Sequence, residues 1–129
     1  PEEGTELGNA CAKHGLDLIY LLAPTSTDER TKLIAEKSSG FIYMVSVTGV
    51  TGARAALPQE LSSFVSRVKQ VTDKPLCVGF GISTPQQAKQ VAEISDGVII
   101  GSRIIQLLES GVSLDSLRNF ATELRAALD

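Results

Sequence analysis

Residues 75–85 read Pro-Leu-Cys-Val-Gly-Phe-Gly-Ile-Ser-Thr-Pro, and they give the clearest indication of the fold. The first half is an apolar run of strand length, which is typical of a strand that is covered on both faces. The second half joins a glycine-rich turn to Thr84-Pro85, and proline is favoured at the first position of a helix. The stretch therefore predicts a strand, a turn and a helix in succession, which is the unit of a parallel α/β fold.

The same unit recurs on both sides of this stretch, and strands joined by helices in this way form a parallel sheet with right-handed crossovers. Residues 26–29, Ser-Thr-Asp-Glu, match a capping box and predict the start of one of the helices. No linker or low-complexity tract interrupts the chain, so we expect residues 1–129 to belong to one domain. The predicted strands are residues 16–23, 41–46, 75–80 and 97–100, and the predicted helices are residues 7–13, about 28–38, segments that start near Pro58 and at Pro85, 102–110 and 114–128.

The number of strand–helix units is half of what a closed barrel requires. A (β/α)8 TIM barrel has eight units and typically about 250 residues, whereas this chain supplies four predicted strands in 129 residues. A free four-stranded parallel layer would have two open edges. We therefore expect the chain either to pair with another segment or to be part of a larger protein.

Composition and charge exclude several classes of protein. A hydrophobic fraction of 43% with 21% charged residues is typical of a globular domain, and the net charge of −3 gives no basic surface for nucleic acid. No apolar run approaches the roughly 20 residues of a membrane span. The first residues, Pro-Glu-Glu, do not resemble a secretory signal, and without an initiator Met the chain is expected to start within a longer protein. Cys11, Cys77 and His14 show no metal or redox spacing, so we expect free thiols, a reducing compartment and no metal.

Ligands of parallel α/β folds bind at the carboxyl ends of the strands, which selects the loops after the four predicted strands. Gly81 follows the third strand, and Gly101-Ser102 follows the fourth strand and opens a short helix. Glycine allows a ligand to approach the backbone, and a helix start offers unpaired N–H groups that suit a phosphate. Two such loops followed by a short helix form the phosphate site that recurs after barrel strands seven and eight. The alternative is that both glycine clusters are only tight turns.

The loop from Val47 to Leu57 is the third candidate region. Thr51 could offer a hydroxyl to a catalytic carboxylate and Gly52 a backbone N–H to phosphate, which suits a mobile lid, although an exposed connector explains the same sequence. Arg54 in this loop is more simply a solvated surface residue.

Aromatic and acidic residues are further candidates for a functional site. Tyr43 in the second strand and Phe80 at the end of the third could contact an aromatic substrate, and both could equally be core residues. Asp17 and Asp96 precede their strands and so belong to the amino-terminal face, which in barrels serves stability. The sequence therefore offers no convincing general acid or base on the active face.

Several motifs together resemble the tryptophan synthase alpha subunit family. They are Ala23-Pro24-Thr25, Gly49-Val50-Thr51-Gly52-Ala53-Arg54, Val78-Gly79-Phe80-Gly81-Ile82-Ser83 and Asp96-Gly97-Val98-Ile99-Ile100-Gly101-Ser102, and they occur in the family's order along the whole chain. Residues 1–3 also resemble a Pro-Pro-Glu-Glu stretch that follows the family's fourth strand. The resemblance implies that this chain supplies the last four βα units, strands five to eight, of a single TIM-barrel domain.

The resemblance also implies an activity. Members of the family are lyases of tryptophan biosynthesis that cleave indole-3-glycerol phosphate to indole and glyceraldehyde 3-phosphate. The alpha subunit uses no cofactor and works in an alpha2beta2 complex, in which pyridoxal phosphate belongs to the beta subunit. We expect a cytoplasmic protein, or a plastid stromal one in a plant, with no membrane or nucleic-acid partner.

The family's residue roles apply to matching positions only. Gly52, Gly81, Gly101 and Ser102 match phosphate-binding positions, Thr51 matches a lid threonine that supports a catalytic aspartate, and Tyr43 and Phe80 match residues beside the substrate. The family's catalytic glutamate and aspartate lie in the half that this sequence lacks, so the resemblance implies that the isolated chain is inactive.

The sequence departs from the family pattern at two points, and two alternative functions remain open. Arg103 stands where the family usually has a small residue, and residues 93–96 form a slightly shorter segment than usual. A stand-alone indole-3-glycerol phosphate lyase shares these motifs, and a non-catalytic phosphate-binding half-barrel would share the glycines.

Overall fold

A computed structural model describes residues 1–46, 57–79 and 81–129. Helices and strands alternate in the order that the sequence predicts. The helices are α1 (Thr5–Lys13), α2 (Asp28–Lys37), α3 (Gln59–Lys69), α4 (Pro85–Ala92), α5 (Ser102–Glu109) and α6 (Leu114–Ala127), and the strands are β1 (Leu21–Leu22), β2 (Ile42–Val45), β3 (Leu76–Gly79) and β4 (Gly97–Val98). No helix among these described residues is long and apolar enough to span a membrane.

The four strands form one parallel sheet in the sequential order β1-β2-β3-β4. Leu21 and Leu22 of β1 pair with Tyr43 and Met44 of β2, and β2 pairs with β3 from Ile42↔Leu76 to Val45↔Gly79. The β3–β4 ladder pairs Cys77 with Gly97 and Val78 with Val98. This confirms the predicted α/β class with parallel strands, because each connection contains a helix that returns the chain to the same end of the sheet.

The two faces of the sheet differ in how well they are covered. The outer face packs on the helices, and its residues Leu22, Met44 and Val78 are fully buried. The opposite face, which we call the inner face, is only partly covered, because Tyr43 and Cys77 are half-buried and Leu21 is 61% exposed. Along each strand the side chains alternate between these faces, so the sequence has placed apolar residues on a surface that the described residues leave open.

The first strand is much shorter than its apolar sequence predicts. Residues 16–23 were expected to be a strand, but only Leu21 and Leu22 pair as one. Before them the Leu18 N–H donates to Ser39 Oγ at 2.7 Å and the Tyr20 N–H donates to Ser38 Oγ at 3.1 Å. Serine hydroxyls therefore satisfy backbone groups that a neighbouring strand would otherwise pair.

Helix α2 begins at Asp28, where the sequence predicts it, but its cap is not the Ser26 of the expected capping box. Thr27 is the N-cap, and its hydroxyl accepts from the Arg30 N–H at 3.2 Å. The Ser26 hydroxyl instead accepts from the Ala23 N–H at 3.3 Å in the preceding turn. A single threonine cap thus starts the helix, and the glutamate of the expected box is not at the position from which it would reach back.

Candidate functional site at the carboxyl edge of the sheet

The two loops that carry the predicted phosphate ligands leave the sheet at the same edge, from neighbouring strands. Val78 and Val98 are partners in the β3–β4 ladder, and the Ile99 N–H donates to Val78 O at 2.8 Å just beyond that pair. Gly81 follows Val78 by three residues, and Gly101 follows Val98 by three residues. Because adjacent strands lie about 4.8 Å apart, the two loops begin side by side.

Gly101 and Ser102 form an open helix start. Gly101 is the N-cap of α5 and Ser102 its first residue, and no side chain caps this end. Both residues are exposed, and within the part of the chain that the structure describes their backbone N–H groups donate to no other residue. The unpaired N–H groups and the positive end of the helix dipole favour an anion at this position.

Neither φ nor packing against the described residues requires glycine at position 101. Its φ of −129° is accessible to any residue, and a Cβ added there would meet no atom of the described residues within 4 Å. The described part of the chain therefore leaves the space in front of this backbone open to a ligand. A need for glycine at this position would come from a bound molecule and not from packing.

Gly81 opens the neighbouring loop by a turn that favours glycine. Its φ is +76°, and a Cβ added there would also lie more than 4 Å from every atom of the described residues around it. The next residue, Ile82, is 2% exposed and anchors the loop in the core. The Ser83 N–H then donates to Gln87 Oε1 at 2.8 Å, so this amide is occupied by the protein itself.

Tyr43 lies on the inner face and reaches across the sheet to the end of β3. A Cβ added to Gly79 would be 2.5 Å from the Tyr43 hydroxyl oxygen and 2.9 Å from its Cζ. Gly79 is thus the residue that lets the tyrosine ring cross β3 near the edge where the glycine loops begin. The Ser46 N–H donates to Gly79 O at 3.2 Å and ties the ends of β2 and β3 together.

The remaining predicted site residues are placed less completely. Thr51, Gly52 and Phe80 lie outside the described residues, as does Arg54, so their predicted roles stay predictions. Arg103 is half-buried in the first turn of α5. The structure therefore brings together Gly81, Gly101 and Ser102, with Tyr43 on the adjoining face.

The two aspartates that precede strands, Asp96 and Asp17, lie away from this edge. Asp96 precedes β4, and its Oδ2 accepts from the Leu76 N–H at 2.9 Å at the amino-terminal end of β3. Asp17 precedes β1 and approaches Gly40 in the loop before β2. In residues 1–46, 57–79 and 81–129, no three His, Cys, Asp or Glu side chains group together as they would to hold a metal ion.

The half-buried thiol of Cys77 faces the inner side of the sheet. Burial chiefly, and the nearby Asp96 carboxylate in addition, raise the pKa of Cys77 above its ordinary value. A cysteine acts as a nucleophile only as the thiolate. Its environment therefore favours an unreactive, protonated side chain.

A cleft of about 480 Å³ lies beside the same edge, between the loop after β1 and helix α3. Pro24, Phe64 and Arg67 help to line it, and the Arg67 guanidinium donates to Pro24 O at 3.1 Å. The lining does not include the glycine loops. We place the candidate site at the strand ends, because the open N–H groups of Gly101 and Ser102 lie there and the cleft is a groove on the helical layer.

Two residues of the site were not singled out by the sequence analysis. Gly79 appeared only within the predicted strand and a family motif, without a role of its own, and its contact with Tyr43 joins residues that are distant in the chain. Gln87 appeared only as a helix residue. The spacing Thr84-Pro85-Gln86-Gln87 is the signal that could have identified it, because a Gln three residues after a threonine N-cap is a capping-box position.

Comparisons with known proteins agree with this architecture. Residues 1–128 match the family model described as "Tryptophan synthase alpha chain". The tryptophan synthase alpha chain of Dehalococcoides mccartyi is 57% identical over 129 residues, covering 100% of this chain and 51% of the relative. That of Methanocaldococcus jannaschii is 51% identical over 108 residues, covering 84% of this chain and 38% of the relative.

Solved structures give the same result at the level of the fold. A tryptophan synthase structure from Mycobacterium tuberculosis superposes with a TM-score of 0.86 at 43% identity, covering 99% of this chain and 48% of that one. The alpha chain from Legionella pneumophila superposes with a TM-score of 0.82 at 36% identity, covering 100% of this chain and 48% of that one.

The chain spans about half the length of the curated relatives it matches. Four parallel strands in sequential order, each followed by a helix, make up half of the strands of a TIM barrel. The chain belongs to the tryptophan synthase alpha chain family and has the fold of the C-terminal half of its (β/α)8 barrel.

Proposed function

We propose that the protein to which this chain contributes is a carbon–carbon lyase of tryptophan biosynthesis, which cleaves indole-3-glycerol phosphate to indole and glyceraldehyde 3-phosphate. In this proposal the chain binds the phosphate of the substrate. Gly81, Gly101 and Ser102 supply backbone N–H groups, and Gly52 adds a further one from the loop between β2 and α3. Tyr43 and Phe80 contact the rest of the substrate.

One observation supports the proposal most strongly. The unpaired helix start at Gly101 and Ser102 lies beside the glycine turn at Gly81, at the carboxyl edge of two paired strands. A phosphate held there gains charge-assisted hydrogen bonds from the backbone without needing a basic side chain. Binding of this remote group positions the reacting end of the substrate.

In this proposal the two halves of the barrel have different roles: this half binds the phosphate and the other half supplies the proton-transfer groups. Cleavage requires one proton to be delivered to the indole ring and another to be removed from the glycerol hydroxyl. The Asp96 carboxylate is at the opposite end of the sheet, where it accepts a hydrogen bond from the Leu76 N–H. The proton-transfer groups therefore come from the half that precedes these residues, and the lid residue Thr51 supports one of them.

The proposal extends to a partner and to a cofactor. We propose that the complete alpha chain assembles with a beta subunit in an alpha2beta2 complex and passes indole to it, which the similarity to tryptophan synthase structures supports. We further propose that the alpha chain carries no cofactor and that pyridoxal phosphate belongs to the beta subunit.

A binding experiment tests the phosphate site. Gly101→Ala should leave thermal stability unchanged, because neither φ nor packing requires glycine. It should weaken binding of glycerol 3-phosphate by about tenfold, because a methyl group then stands where the ligand approaches and a hydrogen bond is lost. Isothermal titration measures the affinity, and a variant that binds as tightly as the wild type would contradict the proposed site.

A turnover experiment tests the division of work. The 129-residue chain alone should release no indole above background from indole-3-glycerol phosphate. Supplying the N-terminal half of the Dehalococcoides mccartyi relative should restore indole release, and Gly101→Ala should lower it. Indole release by the chain alone would show that its own residues perform the proton transfers.

A further inference from the structure

The loop that carries Gly81 is joined to helix α4 by an unusual cap. Thr84 is the N-cap of α4, and its hydroxyl accepts from the Gln87 N–H at 3.2 Å. In an ordinary capping box the side chain of the third helical residue returns to the backbone N–H of the N-cap itself. Here Gln87 reaches one residue further towards the sheet.

The Gln87 side chain binds Ser83 twice. Its Oε1 accepts from the Ser83 N–H at 2.8 Å and from the Ser83 hydroxyl at 3.1 Å. Gln87 is only 4% exposed, whereas most helix-capping side chains lie in solvent. A buried amide is costly unless it is hydrogen-bonded, so the burial of Gln87 depends on its polar contacts and holds Ser83 in one place.

Ser83 lies two residues beyond Gly81, and the residue between them is fixed as well. Ile82 is 2% exposed and belongs to the core cluster. The loop is therefore fixed at Ile82 by packing and at Ser83 by the amide of Gln87. Since Gly81 is the free turn that precedes these two anchors, its backbone direction is set by them.

We propose that Gln87 is a positioning residue for the phosphate site, acting through Ser83 on the backbone N–H of Gly81. The inference rests on the proposed function, because it assumes that Gly81 contacts the phosphate. Gln87 does not touch the ligand. It holds the Gly81 loop beside the helix start at Gly101, so that the N–H groups of both segments can bind the same anion.

The test uses three variants of the chain. Gln87→Met removes the acceptor at nearly constant volume, Gln87→Glu keeps an acceptor oxygen, and Gln86→Met is the matched control at the exposed neighbouring position. Amide hydrogen exchange at Ser83 reports the bond itself, and titration with glycerol 3-phosphate well below the melting temperature reports the site. A purely structural role would lower the melting temperature and leave the affinity of the folded protein unchanged.

We expect Gln87→Met to speed exchange at Ser83 and to weaken glycerol 3-phosphate binding by about tenfold, the equivalent of one hydrogen bond. Gln87→Glu should retain slow exchange, and Gln86→Met should resemble the wild type in both measurements. Should Gln87→Met not fold, Ser83→Ala removes one of the two bonds and is expected to weaken binding to a smaller extent.

The outcomes separate this inference from the proposed function. Wild-type affinity in Gln87→Met, or in Ser83→Ala where that variant is used, overturns the positioning role and leaves the phosphate site intact. Unchanged exchange at Ser83 in Gln87→Met overturns the bond on which the inference depends. Absence of glycerol 3-phosphate binding by the wild-type chain overturns the proposed phosphate site, and the positioning role falls with it.

Discussion

A glycine in a strand usually weakens it, yet Gly79 at the end of β3 is required by its neighbour. A Cβ at this position would lie 2.5 Å from the Tyr43 hydroxyl and 3.0 Å from Cε1 of the ring. We expect Gly79→Ala to lower the free energy of unfolding by about 1–3 kcal/mol, as overpacking does. Urea denaturation measures the loss.

Gly8 provides the control for this prediction. It lies inside α1, and a Cβ there would be 3.8 Å from Leu18, which is an ordinary contact. Gly8→Ala should stabilise the chain by about 0.5–1 kcal/mol, because alanine is the better helix former. Equal effects of the two substitutions would show that Tyr43 does not depend on the missing side chain of Gly79.

The thiol of Cys77 should react slowly. Because burial and Asp96 raise its pKa, iodoacetamide should alkylate Cys77 in the folded chain more slowly at pH 8 than in the urea-unfolded chain. Asp96→Asn should speed the reaction. Ionisation of Cys77 should leave the free energy of unfolding unchanged below the ordinary thiol pKa of about 8.5 and lower it as the pH rises above that value, because the unfolded thiol ionises first. Alkylation rates that do not differ between the folded and unfolded chains would contradict the prediction.

At the scale of the elements, the sequence predicts the central strands better than the outer ones. The sequence predicts strands over residues 41–46 and 75–80, and β2 and β3 occupy the central four residues of each range. Residues 97–100 were predicted as the last strand, but only Gly97 and Val98 pair. An apolar run shows that a segment is buried. It does not show how far a partner strand extends alongside it, since that depends on residues distant in the chain.

Lys74 provides an interaction between elements that local patterns do not reveal. From the loop before β3, its Nζ donates to Ala35 O at 2.5 Å and to Ser38 O at 2.6 Å, at the carboxyl end of α2. A cation at this end of a helix also interacts favourably with the negative end of the helix dipole. Lys74→Met should therefore lower the free energy of unfolding by about 1–2 kcal/mol.

The matched control for Lys74 is Lys69→Met in the last turn of α3. Lys69 is exposed and makes no ion pair or side-chain hydrogen bond with another described residue. Thermal denaturation of both variants should show a clearly larger loss for Lys74→Met, because Lys69 interacts only with the dipole of its own helix. A similar loss in both would mean that removal of positive charge, and not the contact with α2, decides the result.

At the scale of the whole molecule, the sequence predicts the parallel sheet and the edge at which the glycine loops meet. Gly81 and Gly101 could be placed together because parallel strands end at one edge. The Gln87–Ser83 contact and the crossing of Gly79 by Tyr43 could not be predicted, because each depends on which side chain fills a particular space. The roles of Thr51, Gly52 and Phe80 depend on residues that lie outside the described part of the chain.

The open inner face gives a prediction about assembly. Leu21 is 61% exposed on this face, beside Tyr43, and in the proposed complete barrel the N-terminal half covers it. Leu21→Asp should weaken association with the separately produced N-terminal half of the Dehalococcoides mccartyi relative at least about tenfold, because a buried charge is costly. Analytical ultracentrifugation measures the association.

Val71→Asp is the control for this surface. Val71 is 38% exposed and lies beyond the end of α3 in the outer helical layer. A charge at this position should leave association unchanged. Comparable weakening by both substitutions would mean that charge, and not coverage of the inner face, governs the assembly.

The brevity of the two outer strands has a further consequence. β1 and β4 each contain only two residues. A sheet whose edge strands are this short is a poor template for the addition of further strands, which is how fibrils grow. A chain of this kind can thus display an uncovered apolar sheet while offering amyloid growth little backbone to extend.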